Sequence, residues 1–300
     1  MVTMKMLAGL LLLAVMPLAS AAEATDYANV SALQPPVWVE QNGSRTALPA
    51  SAAISDRGRY ITGPGARLQI ALADGSLVKL GENAEFELPS LQLKQSGHDS
   101  ILQGTLKVIK GAFRYTTQAL SFIHQRELDV AVGPTITIGI RGTDIWGKSD
   151  NAQDLACLLE GKVRIASPGR PETALDQSGT FYVVPRGEAP MPVAQVAPET
   201  LQTWIPQTEL AADRAALQSN GPYSVVLAVY LDEALAGRRL REFDQNGYPV
   251  RLLRQQRSGV TVFSLIVDGF SSAQSGAAFA AESKRAFPLL RHPHLLPPDT

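Results

Sequence analysis

From Arg67 to Val184 the chain repeats one device: a short run in which apolar and polar residues alternate, closed by a turn rich in glycine or proline. Alternation with a period of two puts the apolar side chains of each run on one face, as a half-buried strand requires. Leu68, Ile70 and Leu72 alternate with Arg67, Gln69 and Ala71. Asp74-Gly75, both tolerant of positive φ, then marks a hairpin, and Val78 and Leu80 return. Gly81-Glu82-Asn83 turns the chain again before Phe86 and Leu88. Leu91 and Leu93, Leu106 and Val108, Phe113 and Tyr115, Leu128 to Val132, Ile136 to Ile140, Leu155 to Leu159, Val163 to Ile165 and Phe181 to Val184 extend the series. No long helical period interrupts it. Short strands at roughly ten-residue spacing predict a mainly β domain, an antiparallel sandwich or a rolled sheet.

The run at Ile136 ends in Gly139-Ile140-Arg141-Gly142-Thr143, two glycines flanking one arginine. Glycine permits positive φ and close backbone approach, so the strand is expected to end in a tight turn that fixes the direction of Arg141. Two roles then fit Arg141. Its planar fork suits a carboxylate on a ligand or partner. Alternatively it pairs internally with an acid such as Asp144 and locks the turn, a role that the structural look of its neighbours favours. In bulk and spacing, Gly139, Ile140, Arg141, Gly142 and Thr143 resemble the signature of the FecR domain, an all-β periplasmic module. The flanks agree: Ala73-Asp74-Gly75-Ser76, Gly104-Thr105-Leu106-Lys107-Val108, Leu159-Glu160-Gly161-Lys162-Val163 and Ser178-Gly179-Thr180. The resemblance implies a FecR-like β-domain over residues 60–186.

Ahead of it, residues 1–22 have the form of a secretory signal, with Lys5, a short apolar run and a small-residue site at Ala19-Ser20-Ala21. The run is too short for a comfortable membrane span, which needs about 20 apolar residues. The mature chain is therefore expected to be exported to the periplasm without a transmembrane span, with an uncleaved anchor that leaves the rest on the same side of the membrane as the alternative. Residues 23–59 form a lead-in, in which Pro35-Pro36 breaks structure and Val37-Trp38-Val39 fits one strand covering an edge of the β-domain. Residues 187–222 carry Pro190, Pro192 and Pro198 and are expected to be a semi-stiff linker, with a helix beginning near Glu199.

From Tyr223 strand and helix alternate. Tyr223, Val225, Leu227 and Val229 line a strand, and Asp232 to Asn246 fits a helix stopped by Gly247. Strands at Val250 and Phe263 follow, then a helix capped by Ser271-Ser272 and running to about Phe287. The order β-α-β-β-α predicts a small α+β domain with helices on one face of an open sheet. Tyr223-Ser224-Val225-Val226-Leu227-Ala228-Val229-Tyr230, Gly247-Tyr248 and Phe263-Ser264-Leu265-Ile266-Val267-Asp268-Gly269-Phe270 resemble the SPOR domain, a peptidoglycan-binding module, over residues 223–287. Residues 288–300 form an irregular tail. Strict alternation would place Ser224, Val226, Ala228 and Tyr230, with Arg251, Ser264 and Ile266, on the face opposite the helices. That face is either a shallow groove for a sugar strand or a partly apolar surface covered by the linker helix or the first domain. The family usually carries Gln where this chain has Val226 and Arg where it has Ser264.

No catalytic constellation stands out. The four histidines lack metal-ligand spacing, and neither a nucleophile elbow nor a phosphate loop occurs. The single cysteine, Cys157, lies in an apolar run and reads as a buried, inert thiol. A formal net charge of −1 argues against a binder driven by nucleic-acid phosphates. The expectation is a non-enzymatic binding protein of the bacterial cell envelope, needing no cofactor or metal and holding peptidoglycan through its C-terminal sheet. The alternative, motivated by Val226 and Ser264, is a protein–protein interaction or envelope signalling module whose C-terminal sheet docks a protein.

Overall fold

The computed structural model describes residues 27–96, 99–117 and 125–296. The expected signal segment, His98 and His124 lie outside the described residues. The lead-in contains three strands, β1 (Ala28–Gln34), β2 (Val37–Gln41) and β3 (Ser44–Ala47). There follow β4 (Arg59–Thr62), β5 (Arg67–Leu72), β6 (Leu77–Leu80), β7 (Glu85–Ser96), β8 (Asp99–Thr116), β9 (Gln125–Val132) and β10 (Ile136–Ile140). β11 (Thr143–Ser149), β12 (Gln153–Gly161), β13 (Val163–Ala166), β14 (Thr173–Leu175) and β15 (Thr180–Pro185) complete the first unit. Next come the two-residue β16 (Ala194–Gln195), helix α1 (Pro198–Trp204) and the two-residue β17 (Leu217–Gln218). The C-terminal unit has β18 (Tyr223–Tyr230), α2 (Glu233–Gln245), β19 (Arg251–Arg257), β20 (Val260–Phe270), α3 (Ala273–Ala286) and β21 (His294–Leu296).

The first unit is a sandwich whose layers share a strand. One layer runs β3–β2–β4–β7–β8–β9–β10–β13–β14. The other runs β16–β15–β12–β11–β8–β6–β5–β1. β8 serves both: its residues up to Lys110 pair in the first layer, and Gly111–Thr116 pair in the second. The corner falls at Gly111, whose φ is +90° and whose missing Cβ would lie 2.5 Å from Ala84. Only glycine satisfies both the left-handed backbone and the close approach. Among the described residues, all neighbouring strands in these layers are antiparallel except β8 and β9, which run parallel over Ile101–Val108 and Gln125–Val132. That pair departs from the wholly antiparallel expectation. Between the layers the alternating residues meet: Leu128, Val130, Val132, Ile136, Ile138 and Ile140 are all buried against Leu68, Ile70, Phe86 and Phe113. Each is worth about 1.5–3 kcal/mol of burial as an upper estimate.

The proline-rich segment is not a spacer. The outer face of the second layer carries an apolar patch of Ala112, Trp146, Leu155 and Cys157, and α1 covers it. Trp204 stacks on Trp146 with ring centroids 4.9 Å apart and planes 10° from parallel. Farther on, the Glu209 carboxylate takes Lys79 Nζ at 2.6 Å and Arg114 Nη1 at 2.7 Å. An apolar outer face facing water would be unfavourable, so the segment expected to stretch is held down instead.

The C-terminal unit has the predicted order, extended by β21, which pairs with β18 where an irregular tail was expected. Its sheet runs β21–β18–β20–β19. The Asp232 side chain caps α2 by accepting from Leu235 N at 2.8 Å, and Ser272 and Ser275 form a reciprocal cap on α3. Phe243 and Phe279 from the helices join Val225, Leu227, Leu265 and Val267 in the same core as the sandwich. The lead-in ties the units together. The fully buried Gln34 side chain donates to the carbonyls of Ala211 and Arg214 and accepts from Ala211 N. Trp38 Nε1 donates to the Gln245 carbonyl at 3.1 Å, and Asp244 Oδ1 accepts from Ala47 N at 2.8 Å. The lead-in is thus an integral part of both layers and of the junction, not an edge cover alone. Among the described residues no helix is long and apolar enough to cross a membrane.

Candidate functional site

The chain changes layers at the arginine between the two glycines. β10 lies in the first layer and β11 in the second, so Arg141-Gly142 is a corner. A second corner sits beside it where β12 passes into β13 through Gly161-Lys162. The two are packed closely: a Cβ on Gly161 would lie 2.6 Å from the Gly142 carbonyl, and Gly161 has φ +90°. The ladder pairs Gly139 with Arg164, and extending that register by two residues would set Arg141 beside Lys162, both of which line the same trough. Both side chains are exposed, and neither has an ion-pair partner among the described residues.

The internal pairing expected for Arg141 does not form. Asp144 is taken by Arg114, whose Nε and Nη2 meet its two oxygens at 2.8 and 2.5 Å. The reason is geometric: after the corner Asp144 lies in β11 opposite Thr116 of β8, on the outer side of the second layer, while Arg141 faces outward from the first. The Asp144 hydrogen bonds lead the causes that raise the Arg114 pKa, ahead of the opposing effect of burial.

Outward-facing residues of β8, β9, β10, β13 and β14 form a trough of about 1080 Å³. One row across it is fixed by register: Thr105, Asp129, Gly139, Arg164, Ala174. Gly139 is the bare centre of this floor. Its φ is not positive, and a Cβ there would meet nothing closer than 3.9 Å, so neither backbone nor packing demands glycine. Arg141, Lys162 and Arg164 make the middle cationic. Glu127 and Asp129 flank it on β9, and Glu172 and Asp176 on the β14 side. Arg164 and Glu172 approach to 3.7 Å, but both are well exposed, which leaves a weak pair. Thr143 of the five-residue signature is buried, with its N–H donating to Thr117 Oγ1 at 3.0 Å, and Ile140 is core. The signature thus divides into Gly139, Arg141 and Gly142 lining the trough and Ile140 and Thr143 holding the corner.

On the C-terminal sheet, Ser224, Val226, Arg251, Ser264 and Ile266 share a face, as pairing of Val226 with Ile266 and of Ile266 with Arg251 requires. Tyr230 does not join them. A bulge at Leu227 shifts the register, so Tyr230 stands opposite Phe263 and packs on the helix-side core. One extra residue flips every later side chain to the other face. Val229 takes the outward place opposite Ser264 and is 44% exposed. Val226, Ser264 and Ile266 are 3%, 1% and 1% exposed, out of reach of a surface ligand. Arg251 and the Ser224 hydroxyl both bond the Asp268 carboxylate. Burial would raise the Asp268 pKa, but hydrogen bonds from Arg251 and Ser224 outweigh it and hold the group below the ordinary carboxylate range.

Sequence reasoning passed over Glu127, Asp129, Lys162 and Arg164. Alternation within Glu127 to Val132 and Val163 to Ala166 does put Glu127, Asp129 and Arg164 on the faces opposite the core. Only strand order, which alternation does not encode, brings them beside Gly139. Among the described residues no group of three or more His, Cys, Asp or Glu is arranged to hold a metal ion.

Residues 58–164 match the FecR protein family, a stretch that contains the whole of β10 and both corners. No curated protein matched. Two solved structures resemble the chain loosely, both of a candidate anti-sigma factor from Parabacteroides distasonis ATCC 8503. One, at 2.50 Å, is 13% identical with a TM-score of 0.38 over 49% of this chain, and the match spans 63% of that protein's chain. The other, at 1.65 Å, is 11% identical with a TM-score of 0.38, over 68% of this chain and 97% of its own.

Proposed function

We propose that this protein is a non-enzymatic docking module of the bacterial cell envelope, exported to the periplasm, that holds a protein partner and serves envelope signalling or assembly. The observation that carries the reading is the trough. Its floor is left bare at Gly139, its cations at Arg141 and Lys162 have no ion-pair partner among the described residues, and it lies in the FecR-matching stretch. The docking surface is thereby moved from the C-terminal sheet, where the alternative expectation put it, to the first layer of the sandwich.

The order and caps of the C-terminal unit remain consistent with a SPOR-like module. As a holder of peptidoglycan glycan strands it has less support, because three of its six candidate residues are buried and Tyr230 faces the helices. We read it as a brace whose core is continuous with the sandwich. In-cell photo-crosslinking tests the proposal, with the reactive group placed at exposed Thr137 on the trough floor. A dominant protein adduct, absent from a probe placed at Gln202 on α1, is the expected result. Uniform weak labelling, together with retention of the full chain on isolated sacculi, would sink it.

A further inference from the structure

The charge layout of the trough specifies more than a protein. Adjacent strands lie about 4.8 Å apart, so β9, β10, β13 and β14 place their outward side chains at roughly 0, 5, 10 and 14 Å across the sheet. Acids occupy the first position (Glu127, Asp129) and the last (Glu172, Asp176), and cations the middle two (Arg141; Lys162 and Arg164). An extended peptide rises about 3.3 Å per residue and points every second side chain the same way, a repeat of about 6.6 Å. Three successive same-face side chains of a peptide crossing the strands therefore fall near 0, 7 and 13 Å. They meet the acids of β9, the gap between the β10 and β13 cations, and the acids beside β14.

Resting on the docking reading above, we infer that the trough binds an extended segment of a partner protein with the charge pattern Lys/Arg–x–Glu/Asp–x–Lys/Arg, lying across the strands. The central carboxylate sits between Arg141 and Lys162, where the guanidinium fork and the ammonium both donate to it. The backbone passes over Gly139, whose absent side chain lets it come down onto the sheet. The flanking acids select against a polyanion, so a nucleic acid or a uniformly acidic tail is a poor occupant. A single small anion would leave most of the trough and all four acids unused.

Fluorescence anisotropy of a labelled Lys-Ser-Glu-Ser-Lys peptide, titrated with the full chain, tests this. Saturable binding is expected. It should weaken by about tenfold or more when the peptide charges are inverted to Glu-Ser-Lys-Ser-Glu, and likewise in the Arg141→Gln, Lys162→Gln double variant, as loss of charge-assisted hydrogen bonds implies. Gly139→Val should abolish binding while melting no lower than the parent, because the position has room and a β-branched residue suits a strand. Equal binding of the inverted peptide, undiminished binding by Gly139→Val, or displacement by inorganic phosphate as readily as by unlabelled peptide would each overturn the inference. So would sacculus retention that vanishes in the double variant, since the carboxylate would then belong to the wall. A dominant protein crosslink at Thr137 that persists in the double variant would leave the docking reading standing and remove this one.

Discussion

Replacing Trp204 with alanine tests whether the proline-rich segment is part of the folded body. The ring lies flat on Trp146 at 4.9 Å and meets Phe181 edge-on at 6.3 Å. A tryptophan buries about 150–250 Å², and Trp204 is half-buried, so about 100 Å² of apolar contact is lost. At about 25 cal/mol per Å² that amounts to roughly 2.5 kcal/mol. The stacked geometry adds about 1 kcal/mol. Truncation also uncovers Trp146, now 1% exposed. The expected loss is about 3.5 kcal/mol or more, a large share of the roughly 5–15 kcal/mol typical of a folded protein. Urea unfolding followed by far-ultraviolet circular dichroism measures it, and acrylamide quenching reports the uncovering of Trp146. Gln202→Ala, on the exposed side of the same helix, is the control and should change stability by less than about 0.5 kcal/mol. If Trp204→Ala behaves like that control and quenching does not rise, α1 is not bound to the sheet and the segment is a spacer after all.

Asp154 has a fully buried side chain that accepts from both terminal nitrogens of Arg186 at 2.7 Å and from the Thr135 hydroxyl at 2.6 Å, so Asp154→Ala should cost about 3–5 kcal/mol in the same unfolding assay. Gly111→Ala forces a side chain into the left-handed region and against Ala84, and should lower stability by more than about 2 kcal/mol, whereas Gly139→Ala should be neutral or stabilising by up to about 1 kcal/mol. Burial pushes the Cys157 thiol up to about 12 from 9.0, so the folded state keeps its proton where the unfolded state has lost it. That contribution is complete below pH 9 and is lost as pH rises toward 12. Stability should fall more steeply over this window in the parent than in Cys157→Ala, and native protein at pH 8 should resist thiol alkylation until urea is added.

Much of the architecture is written in local pattern. Strand alternation, the Asp74-Gly75 hairpin, the cap at Ser272 and the stop at Gly247 are short-range chemistry, and the structure has each of them. What alternation omits is connectivity between layers. The β8 corner depends on Gly111 meeting Ala84, a contact between residues far apart in sequence. The bulge at Leu227 leaves a run of apolar residues unchanged in composition while reversing its faces, so strict alternation puts Tyr230 on the face it does not occupy. The docking of α1 follows from an apolar outer face on the second layer, visible only once Trp146, Leu155 and Cys157 are known to share it. Proline spacing alone implies stiffness, which a docked segment and a free one have in common.

The same limit explains why both roles of Arg141, toward a ligand carboxylate and toward an internal acid, are legible in sequence while the choice between them is not. In sequence the nearest acid is Asp144, three residues on, and an internal pair is the economical assumption. A corner separates neighbours in sequence by sending them to different layers, and it joins strangers by stacking one corner on another. Here it gives Asp144 to Arg114 and leaves Arg141 beside Lys162. Two like charges one strand spacing apart, about 5 Å, repel by about 0.8 kcal/mol in water, and more where the sheet lowers the local dielectric. An isolated fold gains nothing from that arrangement. A carboxylate set between the two removes the repulsion and adds two charge-assisted hydrogen bonds. The pair is therefore most stable when the trough is filled, and the melting temperature should rise with a bound Lys-x-Glu-x-Lys segment and fall back as salt screens the charges.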